Sequence, residues 1–265
     1  MITWRILYIL FLYISYALIQ GAYNTTLKYG QEHSLKERSF FELDSQFSIP
    51  EKNPLFAWII TNFTRAQENY IVQRLQYINS VTCITWIRAS LDNTESTTKN
   101  YKTPHLVEFV PAEKGCKADV NSPAAKAANR WAKVYVSPEC INFRSIVHQI
   151  GHAMGFGHEH QRIDRDCYIK IDPKLEFHPL LNKVNAIDIS FPYDLYSSMH
   201  YRRSDYIKYA GEGERDVVFI GRYDDTLSGL DIAKIEYRYC GAKHFCDRRA
   251  GSCLPKDKNG CSFKP

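Results

Sequence analysis

Three histidines and a glycine at positions 148, 152, 155 and 158 constrain this 265-residue chain more than any other feature. They lie in His148-Gln-Ile-Gly-His-Ala-Met-Gly-Phe-Gly-His-Glu-His160. A helix through His148 and His152, four apart, projects both imidazoles from one face, one turn above the other. Two ring nitrogens so placed suit two of the three ligands of a catalytic zinc site, whose fourth position stays open for water. Gly155 offers a residue that tolerates positive φ where the helix must stop and turn. The turn brings His158 back as a third nitrogen ligand. The alternative, a core helix with incidental histidines, is hard to sustain for three at this spacing around a glycine.

The rest of the composition sets the compartment. Arg5 precedes an apolar, Tyr-rich run over 6–19, and Gly21 and Ala22 follow it, so residues 1–21 read as a secretory signal. A signal anchor is the alternative, although the run is shorter than the roughly 20 residues a spanning helix needs. No other segment has the length to span, so the mature form is expected free of membrane. The eight cysteines (83, 116, 140, 167, 240, 246, 253 and 261) suit disulfides in an exported chain. C-x-x-C spacing is absent, which leaves the metal signal to the histidines. Asn24 and Asn62 open N-x-Thr sequons suited to surface glycosylation. The net charge of +5 is spread along the chain, which indicates solubility rather than a nucleic-acid partner.

Periodicity predicts a strand over 55–60, then a helix capped by Thr64 with Ile71, Leu75 and Ile78 on one face. Further strands are predicted at 81–88, 106–110 and 131–136, with a polar loop over 91–104. Ser137-Pro138-Glu139 can start a helix, and Asn142 is an equally good cap for the histidine helix. In that helix Ile146, Ile150 and Ala153 cover one side and Val147 and Met154 another, with the histidines facing a cleft. Residues 159–225 read mostly as loops. A last helix is predicted over 226–239, burying Leu230, Ile232, Ile235 and Tyr239.

Downstream stands Pro192-Tyr-Asp-Leu-Tyr-Ser-Ser-Met-His-Tyr201. Together with the histidine motif it resembles the astacin family of zinc peptidases, whose signatures are H-E-x-x-H-x-x-G-x-x-H and S-x-M-H-Y. Arg162-Ile-Asp-Arg-Asp166, the 82–84 strand and 227–240 match the same family, so the resemblance runs over 54–240. It implies an α+β fold in two lobes about an active-site cleft: a twisted mixed sheet with two long helices above, and a mostly irregular lobe below. It implies one zinc held by His148, His152 and His158, Met199 as an apolar floor beneath it, and Tyr201 as a phenol able to join the metal. Glu159 takes the position that pairs with the mature N-terminus. An extended peptide would add to the sheet edge near 116–120. The family's pairing implies Cys83–Cys240 and Cys116–Cys140. The other four cysteines can pair three ways, with Cys167–Cys246 and Cys253–Cys261 the expected set. Residues 22–53 become a short pro-like segment, in which Phe41-Glu-Leu-Asp44 weakly matches the zinc-binding F-x-G-D switch. Residues 241–265 become a cysteine-rich tail.

One departure outweighs the matches. The family's general-base glutamate is Gln149 here. A carboxamide is nearly isosteric with a carboxylate but accepts no proton near neutral pH. Losing a positioned general base costs about 10²–10⁴ in rate. Three readings follow: a secreted zinc-binding homologue, impaired or inactive, that engages extracellular proteins or peptides; an active endopeptidase with altered acid–base chemistry, assisted by Glu159 or Tyr201; or a disulfide scaffold that presents its tail.

Overall fold

The computed structural model describes residues 55–89, 105–118, 132–142 and 145–249 (except 176–177, 186, 188, 203, 205 and 211–218), together with Cys253 and Cys261. Segments 1–21 and 22–53 with Asn24 and Asp44, and loop 91–104, lie outside the described residues.

Five strands form the main sheet: β1 (Leu55–Ile60), β2 (Thr85–Arg88), β3 (His105–Pro111), β4 (Cys116–Ala118) and β5 (Ala132–Val136), in the order β2-β1-β3-β5-β4. β1 runs parallel to β2 and β3, and β3 parallel to β5, while β4 closes the edge antiparallel to β5. The sheet is therefore mixed, and β4 is an edge strand.

Helix α1 (Arg65–Val81) makes the crossover from β1 to β2. Thr64 and Gln67 form a capping box, with Gln67 N–H donating to Thr64 Oγ1 (3.4 Å) and Thr64 N–H to Gln67 Oε1 (3.0 Å). Ile71, Leu75 and Ile78 are buried against the sheet, each contributing roughly 1.5–3 kcal/mol. Val81 belongs to this helix, not to the strand predicted over 81–88. The helix ends where Thr82 adopts extended backbone and turns its hydroxyl onto Ile78 O (2.8 Å).

After β5 come α2 (Pro138–Asn142) and α3 (Ile146–Ala153), the histidine helix. Ser145, not Asn142, is the N-cap of α3, because Asn142 closes α2. Ser145 makes no side-chain cap. Instead the Val147 N–H donates to Asp225 Oδ1 at 2.7 Å, a carboxylate brought from 78 residues away. At eight residues α3 is not the second long helix predicted. It stops at a Schellman turn: Gly155 has φ +89°, its N–H donates to His152 O (2.8 Å) and that of Phe156 to Gly151 O (2.9 Å). Ile146, Val147, Ile150 and Ala153 are fully buried on Phe56, Phe109, Val134 and the rest of the main core.

Beyond Gly155 the backbone is mostly irregular, as expected, but it contains a two-stranded antiparallel sheet, β6 (Ile169–Ile171) with β7 (Ile207–Tyr209). Ile169, Leu181, Ile207 and Ile220 form its small core. Three-residue strands are too short to show a period of two. Helix α4 (Gly229–Tyr239) starts later than predicted, after a capping box of Ser228 with Asp231. It buries Asp231, Ala233, Ile235 and Tyr239, leaving Leu230 and Ile232 half-buried. A short α5 (Phe245–Arg248) follows.

Disulfides join Cys83 to Cys240 and Cys116 to Cys140. The first closes a span of 157 residues, worth up to about 5 kcal/mol by the chain-entropy argument. The expected tail pairing is corrected: Cys167 joins Cys261, and Cys246 joins Cys253. The reason is local. Ser190 meets the His244 ring (3.0 Å), docking the start of α5, and Cys246 closes on a partner only seven residues away, leaving Cys261 for Cys167. Non-reduced peptide mapping should recover a 167–261 and a 246–253 linked pair. A 167–246 link would contradict this arrangement.

Candidate metal centre

Helix α3 presents His148 and His152 from adjacent turns, and the Schellman turn returns His158 to them. The His152 Nε2 lies 3.1 Å from His148 Nε2 and 3.0 Å from His158 Nε2. Each ring is held through its other nitrogen: His148 Nδ1 to Ser198 O (2.7 Å), His152 Nδ1 to Phe156 O (2.8 Å) and His158 Nδ1 to Gln161 Oε1 (2.9 Å). Carbonyl oxygens only accept, so each Nδ1 carries a proton, and in the neutral ring each Nε2 then turns a lone pair inward. Gln161 Nε2 donates to Pro179 O (3.4 Å), which fixes that amide with its oxygen toward the ring.

This donor set fits a tetrahedral metal. Zinc–nitrogen bonds of roughly 2.0–2.1 Å at tetrahedral angles space the nitrogens about 3.3 Å apart, within a few tenths of an ångström of those here. Among the described residues these three histidines are the one group of His, Cys, Asp or Glu arranged to hold a metal ion. Three convergent lone pairs cannot satisfy one another, and a dication satisfies all three.

The segment 197–201 lies under the helix. A Cβ on Gly151 would meet the Met199 side chain, so the glycine lets Met199 pack directly against the helix in this position. Asp231 holds this segment, accepting from Ser197 Oγ (2.6 Å) and Ser198 N–H (2.7 Å). The Tyr201 ring stands 4.7 Å from that of His158 and stacks on His160 at 4.0 Å, beside the triad. Burial lowers the pKa of His160 and takes that of His200 to about 4, so both are neutral packing groups behind the ligands.

Glu159 is 3% exposed and fully engaged. Its Oε1 accepts from Arg162 Nη1 (2.8 Å) and Asp194 N–H (2.9 Å), and its Oε2 from Lys234 Nζ (2.7 Å). Burial alone would raise its pKa, but Lys234 and Arg162 outweigh that and hold it at about 2. Glu159 is therefore no proton acceptor for chemistry at the triad, which corrects the assisting role considered for it. Arg162 is itself fully buried, and its planar fork also grips Asp164 (2.8 and 2.7 Å) and the carbonyls of Phe191 and Pro192.

Gln149 lies on α3 between the first two histidines, 5% exposed, and its Oε1 has no hydrogen-bond partner. A buried carbonyl left so costs about 1–3 kcal/mol. Of the residues that build the centre, sequence reading missed Ser198, Gln161, Gly151, Asp231, Lys234 and Asp225. Asp231 lay inside a matched motif, but Gln161 and Lys234 act only through contacts that no spacing encodes.

The Glu159 cluster gives a stability test. Removing one partner of a buried ion pair costs about 3–5 kcal/mol, so Lys234→Met should lower unfolding free energy by that order. The carboxyl titrates near 2 folded against an ordinary 4.5. Its stabilisation, about 3 kcal/mol, is fully present above pH 4.5 and is lost as pH falls toward 2. Denaturant unfolding between pH 2 and 7 should show that acid loss in the wild type and a shallower one in Lys234→Met. Equal slopes would refute the assignment.

Comparison with known proteins agrees with this geometry. The profile of the peptidase family described as Astacin matches residues 50–240. The chain is 27% identical over 252 residues to zinc metalloproteinase dpy-31 of Teladorsagia circumcincta, covering 90% of this chain and 37% of that protein. It is 30% identical over 139 residues to zinc metalloproteinase nas-34 of Caenorhabditis elegans, 48% of this chain and 23% of the relative. The chain thus spans well under half the length of these curated relatives. Its fold is similar to high choriolytic enzyme 1, a hatching enzyme zinc-protease of Oryzias latipes, with a TM-score of 0.54 at 23% identity, covering 70% of this chain and 88% of that one. With the family profile spanning most of its 265 residues, the chain belongs to the astacin family of peptidases.

Proposed function

We propose that this chain is a secreted, zinc-binding astacin homologue that engages extracellular proteins or peptides and hydrolyses them slowly or not at all. The observation that carries the second half is Gln149, a buried neutral amide that follows His148 on the histidine helix. His148, His152 and His158 would hold the zinc. Bound there, zinc supplies Lewis acidity and lowers the pKa of water toward 7. The chain's own part is to fix three neutral imidazoles by their Nδ1 partners, to place the Tyr201 phenol beside them, and to offer β4 as an edge on which an extended peptide can lie. What it lacks is a group at 149 able to take a proton and return it to a leaving amine. The deficit is about 10²–10⁴ in rate, or roughly 3–5 kcal/mol of barrier at 1.36 kcal/mol per decade.

The same reading assigns residues 1–21 as signal peptide, 22–53 as pro-like segment, 54–240 as the peptidase-like domain and 241–265 as a cysteine-rich tail. Four disulfides support an oxidising compartment. Asn62, exposed ahead of α1, is a glycosylation site in this scheme. The scaffold reading is less well supported, since a mere scaffold has no use for three oriented ring lone pairs. The active-peptidase reading has lost Glu159 and rests on Tyr201 alone.

Two measurements test the proposal. Metal analysis after dialysis against a weak chelator should find one zinc per chain, and a value near zero would sink the metal assignment. Gln149→Glu, in protein freed of residues 22–53, should raise cleavage of an unfolded protein substrate at least 10²-fold. Wild-type turnover equal to that of the variant would instead establish a working peptidase.

A further inference from the structure

Asp225 holds a left-handed backbone, φ +55°, although it is not glycine, and its side chain is buried at 4% exposure. A residue with a Cβ adopts that region at a cost, and a buried carboxylate adds a second. Two such costs at one loop residue persist where the surrounding structure puts them to use. Asp225 Oδ1 accepts the Val147 N–H at 2.7 Å, and the Ile146 backbone supports the same carboxylate. Its Oδ2 accepts the Tyr70 hydroxyl at 2.9 Å. Ile146, Val147 and His148 open α3, where N–H groups have no partner within the helix. Ser145 does not cap them, since its hydroxyl donates to Cys140 O (3.1 Å). A helix of eight residues is marginal by itself, so its first turn depends on an outside acceptor. Fraying that turn displaces His148 but neither His152 nor His158.

The ring of His148 is governed from the same short segment. Its Nδ1 donates to Ser198 O, and the Ser198 N–H donates to Asp231. Asp225 and Asp231 thus fix the backbone and the ring of one ligand between them. Helix α1 holds the segment through two phenols: Tyr70 on Asp225, and Tyr77, whose oxygen accepts the Leu227 N–H (3.2 Å). We infer that Asp225 is a positioning residue of the metal centre, capping α3 from outside and so setting the place of His148 and the affinity for zinc. The inference rests on the zinc-binding reading above. A metal that needs three nitrogens at once binds only molecules whose first turn is in place, and its apparent affinity falls with that fraction. Losing an N-cap acceptor shifts such a balance by roughly three- to thirtyfold.

Three substitutions in the full-length chain separate positioning from mere structure. Zinc affinity is read by competition with a chromophoric chelator, and stability of the metal-free protein by urea unfolding in EDTA. Asp225→Asn keeps an acceptor oxygen and tolerates positive φ, so it should hold zinc within about threefold of the wild type. Asp225→Gly relieves the backbone but removes the acceptor, while Asp225→Ala removes the acceptor and keeps the strain. Both should lose about tenfold in zinc affinity, and by the same factor, although Gly should unfold at higher urea than Ala. The visible spectrum of the cobalt(II)-loaded protein should change in Gly and Ala, as one nitrogen ligand loosens, and match the wild type in Asn. Should the Ala variant not fold, Gly and Asn carry the comparison. Wild-type zinc affinity and cobalt spectrum in Gly, a loss in Asn equal to that in Gly, or a zinc affinity that merely tracks urea stability would each overturn the inference. Wild-type protein that takes up no zinc defeats the reading beneath it instead.

Discussion

Three ring nitrogens converge, with His152 Nε2 3.1 Å from that of His148 and 3.0 Å from that of His158, and much of the surrounding structure holds the rings in that arrangement. Each Nδ1 faces an oxygen and donates its proton to it. Those oxygens come from three different places: the carbonyl of Ser198 beneath the helix, the carbonyl of Phe156 in the Gly155 turn, and the side chain of Gln161 beyond His158. Each ring is thereby fixed in tautomer and in direction, which is the outer-shell arrangement that metal-binding histidines use.

Holding the Ser198 carbonyl still is the work of residues far along the chain. Asp231 on α4 fixes Ser197 and Ser198, while Lys234, one turn further, neutralises Glu159 next to the third histidine. Glu159 also bonds to Met199 through its backbone N–H (3.0 Å), so the floor and the third ligand move together. The far end of α4 is tied by Cys240 to Cys83, just ahead of β2 in the main sheet. Asp225 performs the same service for the start of α3, receiving Val147 N–H and the Tyr70 hydroxyl (2.9 Å) from α1. The centre is thus held by buried, hydrogen-bonded charges whose partners are all present. That condition decides whether such groups stabilise a fold or weaken it.

How much of this could be read in the sequence follows from the range of each interaction. The triad, the Gly155 turn, the Thr64 cap and the apolar face of α1 are local patterns, none longer than the stretch from His148 to His158, and they were legible. The start of α4 lies later than expected because the Ser228 capping box sets it. Its buried face was misjudged because Asp231 lies inward, satisfied by two serines from 33 and 34 residues away. Strands β6 and β7 left no signal at three residues each. The tail disulfides depended on where α5 docks, which Ser190 and His244 decide in three dimensions. Glu159 was legible as an anchor, but not its partner, because no spacing rule connects positions 159 and 234.

These observations bear on what one substitution can change. The Nδ1 hydrogen bonds that orient the triad run to Ser198, Phe156 and Gln161. Exchanging a carboxylate for an amide at 149 leaves ligand count, tautomers and floor intact, and alters only local charge and proton affinity. A buried ionised carboxylate beside three neutral rings would itself depend on a bound cation, because an unpaired charge in such a place is far costlier than an unpaired amide oxygen. In this chain the residues that orient the three histidines and the residue at 149 are different groups, so the two can be varied separately.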